Sequence, residues 1–243
     1  MKHSVTARRL AAGLGLIAAT LTALPGRAQA QDGKQDFSPA ERLLLMSPQL
    51  GAIRPPTTLT YRFRKTGTLE EAFEDSVGVR LERQTDGRCC KASSEFLNGA
   101  RRLQLAEIEQ AESNPVIVYY LEHDIRAMQR RTKGAANHFR KRIRMALYDG
   151  ASITDLKLTY RGRAIDAQAI TIEPYRTDPN RARFAQLAGK RYVFVLSDAV
   201  PGSVVSIRST AQADGSAAAL IDEELLLDGA EMPAAPPAAS PSS

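Results

Sequence analysis

Few residues in this chain have the types and spacing that catalysis or metal binding requires. The most suggestive are two adjacent cysteines, Cys89 and Cys90, and the triplet Glu122-His123-Asp124. The triplet lies in a predicted helix, where neighbouring side chains point about 100° apart, so its members would not converge on one metal ion. We therefore interpret it as an acid–histidine cluster on a solvent-facing helix surface rather than as a metal site or a general base.

The adjacent cysteines have no spacing typical of redox or metal motifs. In a strand, neighbouring side chains face opposite sides of the sheet, so one thiol should be buried and the other exposed. A bridge between adjacent residues would close a small ring, far from relaxed disulfide geometry. A redox pair or an intermolecular bridge is the alternative. We favour one buried small apolar residue beside an incidental thiol, because no Cys-x-x-Cys spacing is present.

Motifs that identify an enzyme are missing from the sequence. There is no HExxH, no G-x-S-x-G and no P-loop pattern. His123 and His138 lie on different predicted helices. A cysteine nucleophile with a distant histidine is the alternative, but neither thiol has an identifiable activating neighbour. The sequence therefore predicts no enzymatic activity, no cofactor and no metal site.

Basic residues are concentrated between positions 126 and 144, a stretch without any acid. Six of them are candidates for one anionic docking face: Arg126, Arg130, Lys133, Arg140, Lys141 and Arg144. This face would suit anionic lipid headgroups, lipid A phosphates or an acidic envelope protein. Two ordinary solvated helix surfaces are the alternative. Nucleic acid is a poor partner, because no aromatic residues alternate with the arginines to stack on bases.

The first thirty residues have the pattern of a cleavable signal peptide. A basic start is followed by an apolar stretch too short to span a bilayer comfortably, and Ala28-Gln29-Ala30 then forms a small-x-small cleavage site. We expect cleavage between Ala30 and Gln31, export to the periplasm, and no transmembrane segment afterwards. Removing the four basic residues of this segment from the formal charge of +6 leaves +2, so overall basicity does not indicate nucleic-acid binding.

The remaining chain divides into three parts. Residues 31–56 should form a short helix with a Ser-x-x-Glu capping box, Ser38 to Glu41, and a proline-rich connector. Residues 57–228 should form one β-rich domain. Residues 229–243 are rich in proline, alanine and serine and should be a disordered tail.

Hydrophobic periodicity assigns the elements of the central part. Apolar residues alternate from 57 to 63, 77 to 82 and in several later segments, and a weaker third strand should run to Leu97. Asn98-Gly99 suits a tight hairpin, after which Leu103 and Leu105 continue a fourth strand. Residues 114–132 form a helix capped by Asn114 and ended by Gly134, and residues 137–148 form another. The segment 217–227 could be strand or helix; strand is favoured. Ten apolar residues are candidates for the core or for the lining of a cavity: Tyr61, Phe63, Ile117, Leu121, Ile125, Met128, Phe139, Ile143, Tyr192 and Phe194.

The order of elements predicts an α+β fold. We expect a curved antiparallel, half-barrel-like sheet of about eight or nine strands, with two central helices inserted after the fourth strand at residues 114–148 and a short N-terminal helix. Over roughly residues 57–228 this order resembles the periplasmic lipoprotein-carrier half-barrel superfamily, although no diagnostic motif is shared. The resemblance implies an apolar cavity for acyl chains beneath a helical lid.

Two functions follow as expectations. The first is an exported periplasmic binding protein that carries or chaperones an apolar or lipidic ligand, with the basic helices at the mouth of the sheet. The alternative is a non-catalytic structural or interaction protein of the envelope, with a filled core and a basic surface that docks a protein. A cavity within the sheet would distinguish them, but a filled core and a lined pocket use the same apolar residues.

Overall fold

The computed structural model describes residues 37–87, 89–212 and 218–233, and these form one antiparallel sheet with helices packed against it. The strands are β1 (Thr57–Thr66), β2 (Phe73–Arg83), β3 (Cys89–Phe96), β4 (Ser152–Tyr160), β5 (Arg163–Ile172), β6 (Arg191–Leu196), β7 (Val204–Gln212), β8 (Ala219–Leu227) and β9 (Ala230–Glu231). The helices are α1 (Pro39–Glu41, continued by a π turn over Arg42–Met46), α2 (Val116–Thr132) and α3 (Ala136–Asp149). Two 3-10 segments cover Gly99–Arg101 and Arg181–Leu187.

The strand order is β3-β2-β1-β8-β7-β6-β5-β4-β9, with every neighbouring pair antiparallel. This order requires a curved sheet. In a flat sheet β9 would lie five strand spacings from β8, or about 24 Å. Only Asp228 and Gly229 separate these two strands along the chain, and three Cα steps reach about 11 Å at most. The sheet therefore curls at this end, as the predicted α+β fold with a curved antiparallel sheet requires.

The position of the helical pair differs from the prediction. Helices α2 and α3 follow the third strand, not the fourth, because no regular strand forms around Leu103 and Leu105. Leu103 makes only an isolated bridge to Phe96, and Ile108 another to Ala92. Leu97 adopts a positive φ of 62°, and a 3-10 turn follows it, so the chain leaves β3 without forming a tight hairpin.

Helix α2 ends at Thr132, as the sequence predicts, but begins at Val116, one residue after the predicted first helical position Pro115. The Oδ1 of Asn114 accepts a hydrogen bond from the Val116 amide at 3.1 Å and so satisfies one of the free N–H groups at the helix start. At the other end Lys133, not Gly134, adopts the left-handed conformation, with φ of 57°. Gly134 is needed for a different reason, because a Cβ there would lie 2.7 Å from the ring of Phe139.

The core lies between α2, α3 and one face of the sheet. Nine of the ten candidate core residues are buried in a single cluster; the exception is Leu121, which is half-buried. The N-terminal prediction is confirmed, since Ser38 and Glu41 form a complete capping box. Among the described residues, no helix has the length and apolar character needed to cross a membrane.

The C-terminal part of the predicted domain is confirmed in one respect and wrong in another. The segment that could be strand or helix is strand β8, as favoured. The predicted tail starts too early, because Ala230 and Glu231 form β9 and pair with Tyr160 and Thr159 of β4. The signal peptide, its cleavage site and the tail from residue 234 onward lie outside the described residues.

Candidate functional site

The predicted docking face lies on the outside of the α2–α3 hairpin. Glu122 joins the two helices: its carboxylate accepts from Arg126 Nε at 3.0 Å and from Arg140 Nη2 at 2.8 Å. Burial alone would raise the pKa of Glu122, but the hydrogen bonds from Arg140 and Arg126 lower it below its usual range. Glu122 therefore neutralises only one of the two arginines, and the group of three side chains keeps a net positive charge.

Four further basic residues of the predicted face are exposed. They are Arg130, Lys133, Lys141 and Arg144, and none makes a side-chain hydrogen bond or ion pair with another described residue. We call these four residues, together with Arg126 and Arg140, the basic face. The other two arginines of the run are used elsewhere, since Arg131 pairs with Glu70 and Arg142 contacts the Pro174 carbonyl.

Exposed apolar side chains adjoin the basic face on α3. Met145 is 39% exposed and Tyr148 is 54% exposed. They follow Lys141 and Arg144 by one helical turn, so the four side chains share the outer surface of the helix. Basic and amphipathic side chains arranged together in this way suit the boundary between water and lipid headgroups.

Beneath α2 lies a buried ion-pair network that the sequence analysis did not find. Asp124 and Lys190 are both fully buried and pair with each other. Tyr192 donates a hydrogen bond to the second carboxylate oxygen of Asp124 at 2.5 Å, and the Tyr175 hydroxyl lies 3.3 Å from that of Tyr192. Burial and the negative charge of Asp124 raise the pKa of Tyr192 well above its usual range.

A second buried acid, Glu223 on β8, belongs to the same region. Its Oε1 lies 3.0 Å from Lys65 Nζ, and its Oε2 lies 3.6 Å from His123 Nε2. Neither contact is a hydrogen bond, so both oxygens lack a hydrogen-bond donor among the described residues. Burial alone would raise the pKa of Glu223, but the neighbouring His123, Lys190 and Lys65 lower it far below its usual range.

This network corrects the interpretation of the Glu122-His123-Asp124 triplet. Only Glu122 faces solvent; His123 and Asp124 are buried against the sheet. His123 stacks on Phe96 with ring centroids 5.2 Å apart and meets Phe63 edge-on at 5.5 Å. In the network, Asp124 is paired with Lys190 and Glu223 lies beside Lys65, so each buried carboxylate has a nearby positive charge. These contacts connect α2 to the sheet.

The cysteines and histidines form no metal site among the residues that the structure describes. Cys89 and Cys90 are joined by a disulfide bond, so the expectation of an incidental free thiol is wrong. The burial of one and exposure of the other is as predicted: Cys90 is buried and Cys89 exposed. His138 contacts Asp178 at 2.7 Å and so holds α3 to the segment after β5.

Three of the grooves on the described surface have volumes of about 500, 1020 and 670 Å³, and none of the ten candidate cavity residues lines any of these three. Comparison with protein-family models, curated proteins and solved structures finds no match.

Proposed function

We propose that this chain is an exported, non-catalytic binding protein of the cell envelope that docks on anionic lipid headgroups through the basic face of the α2–α3 hairpin. One observation carries the proposal. Arg130, Lys133, Lys141 and Arg144 are exposed without a counter-ion among the described residues, whereas the charges beneath α2 are mutually neutralised. The unbalanced positive charge of the helical layer thus lies on its outer surface.

The apolar neighbours of the basic face favour a lipid surface over an acidic protein. Each basic group near an anionic membrane contributes about 1 kcal/mol to binding. Met145 and Tyr148 can enter the headgroup region beside Lys141 and Arg144, because a tyrosine places its ring among the acyl chains and its hydroxyl in water. The predicted signal peptide supports export, and the predicted absence of a catalytic motif supports a binding role.

The interior supports a filled core. Aromatic residues and the Asp124–Lys190 pair occupy the space between α2 and the sheet. A pocket for acyl chains is normally lined by apolar groups with few polar ones, and a buried ion pair in its floor would oppose such a ligand. The alternative with a filled core and a docking surface therefore fits the geometry better than the carrier.

Charge reversal tests the docking proposal. The double variant Lys141→Glu, Arg144→Glu should bind phosphatidylglycerol vesicles more than about tenfold more weakly than wild type, since two attractions of about 1 kcal/mol become repulsions. Vesicle co-sedimentation at low and high salt measures the change. Binding of the wild type should also weaken with salt, because screening at 0.15 M acts over about 8 Å.

A matched control separates the basic face from net charge. Arg62 and Arg80 are exposed on strands β1 and β2, and their reversal to glutamate changes the net charge by the same amount. This variant should bind vesicles within about twofold of wild type, because its charges lie on the sheet and not on the hairpin. Equal losses in the two variants, or no binding by wild type at low salt, would remove the lipid proposal and leave an acidic protein as the partner.

A carrier of an apolar ligand is the second proposal. It is supported by the resemblance to the lipoprotein carriers and by the position of the ten apolar candidates, nine of which are buried between the helices and one sheet face. Native mass spectrometry of protein purified from the periplasm tests it. Co-purified lipid released only on unfolding would favour the carrier; a mass matching the bare chain would favour the filled core.

A further inference from the structure

Strand β5 has an open edge over its first half. It pairs with β4 along its whole length, but with β6 only from Gln168 to Ile172. Residues 163–167 therefore have no strand on the β6 side among the described residues. An open edge of this kind leaves backbone N–H and C=O groups free to pair with another chain.

The hairpin geometry shows which backbone groups point to that open edge. Arg161 and Gly162 form a two-residue turn with φ values of 48° and 76°, so Tyr160 and Arg163 close the hairpin as a hydrogen-bonded pair. The backbone groups of alternate residues of β5, Ala164 and Asp166, then point away from β4. Consistent with this, the Asp166 carbonyl accepts a hydrogen bond at 2.6 Å from Ser197 Oγ, beyond the end of β6.

A groove of about 1020 Å³ runs beside this edge. Its two sides differ in character. Leu43, Leu156 and Ile165 provide apolar lining. Asp155, Asp166 and Asp198 provide negative charge, and the one lysine of the lining, Lys157, pairs with Asp166 in a contact in which both side chains are more than three-quarters exposed. An exposed ion pair of this kind contributes little stability, so a basic group of a ligand can replace Lys157 beside Asp166.

We propose that this groove binds a short extended segment of a partner protein, which adds as a strand to the open edge of β5. The free groups at Ala164 and the Asp166 amide supply the backbone pairing. Because side chains of a strand alternate between faces, the segment would place apolar residues towards Leu43 and Ile165 and basic residues beside Asp166 and Asp198. This site lies on different elements from the basic face and does not depend on the proposed function.

Peptides of alternating sequence test the proposal on the whole protein. Fluorescence anisotropy should show saturable binding of a labelled hexapeptide of alternating lysine and valine, and binding at least about tenfold weaker for the glutamate–valine peptide. Amide exchange should slow at Ala164 and Asp166 when the lysine peptide is added. Equal binding of both peptides, or protection only elsewhere, would overturn the proposal.

A proline substitution at the edge is the sharper test. Ala164→Pro removes an N–H that points into the groove and leaves the β4–β5 pairing intact, so binding should fall by at least about tenfold. A folded Ala164→Pro variant that binds normally would refute the proposal.

Two further outcomes are decisive. If Ala164→Pro does not fold, Asp166→Lys with Asp198→Lys replaces it, and this variant should reverse the preference between the two peptides. Size-exclusion chromatography of the free protein distinguishes a partner segment from a second copy of this chain. A dimer that Ala164→Pro dissociates would overturn the proposal in favour of self-association.

Discussion

Replacement of Lys190 by methionine is expected to lower the free energy of unfolding by about 3–5 kcal/mol. Lys190 and Asp124 are fully buried, and the lysine is the partner that neutralises the carboxylate. Removing it leaves Asp124 as an uncompensated buried charge, held only by the hydroxyl of Tyr192. Urea denaturation followed by circular dichroism measures the loss.

Two controls separate the buried charge from lost packing. Adding Asp124→Leu to Lys190→Met should recover at least half of the loss, since replacing both members of a buried pair by apolar groups is often neutral. Lys157→Met removes a lysine from an exposed pair with Asp166 and should cost less than about 1 kcal/mol. If Lys190→Met were as mild as Lys157→Met, the network beneath α2 would not be the anchor of that helix.

The second large effect is a loss of stability in acid that depends on Glu223. Its pKa is lowered on folding from an ordinary value of 4.5, because the nearby His123, Lys190 and Lys65 outweigh its burial. A carboxylate with a lowered pKa contributes stability that is complete above the unfolded pKa and disappears as the pH falls towards the folded pKa. The free energy of unfolding should therefore fall steadily below about pH 5.

The variant Glu223→Gln identifies the source of this acid sensitivity. It should be less stable than wild type at pH 7, because Lys65 and Lys190 lose a buried counter-charge. Below about pH 5 its stability should fall with a shallower slope, because the glutamine has no proton to take up. Denaturation midpoints between pH 3 and pH 7 test this, and parallel pH profiles for the two proteins would contradict it. Glu70 and Glu122, whose pKa values are also lowered, contribute less because both are partly exposed.

Local sequence signals predicted the elements of the fold well. The two-residue period of apolar side chains located the main strands, and Asn114 marked the start of α2 through a side-chain hydrogen bond to the nearby backbone. The prediction is wrong at Asn98-Gly99, where the hairpin signal of the dipeptide competes with the conformation of the neighbouring residues. Asn98-Gly99 has the composition of a hairpin turn, yet the positive φ of Leu97 and the 3-10 turn replace the tight hairpin, and the returning chain meets β3 only at isolated bridges.

The candidate site was predicted only in part. The basic face could be read from the sequence because it depends on one continuous stretch, whose helical spacing puts its residues outside. The sequence also contains signals of the buried network. Lys65 follows Tyr61 and Phe63 at two-residue spacing in β1, so its side chain points to the same buried face of the sheet. Asp124 lies on the apolar stripe of α2, between Ile117 and Met128.

The apolar periodicity of the sequence predicts the buried face of most elements, because periodicity is a property of the local chain, but it left the buried His123 and Asp124 of α2 on the solvent side. Which charges meet on those faces depends on the order of the strands and on the packing of the helices against them. Asp124 and Lys190 are 66 residues apart, and Lys65 reaches Glu223 only because β8 inserts between β1 and β7. Strand order is set by the packing of the whole sheet, so a charged residue at an inward position indicates that a partner is needed without indicating which one.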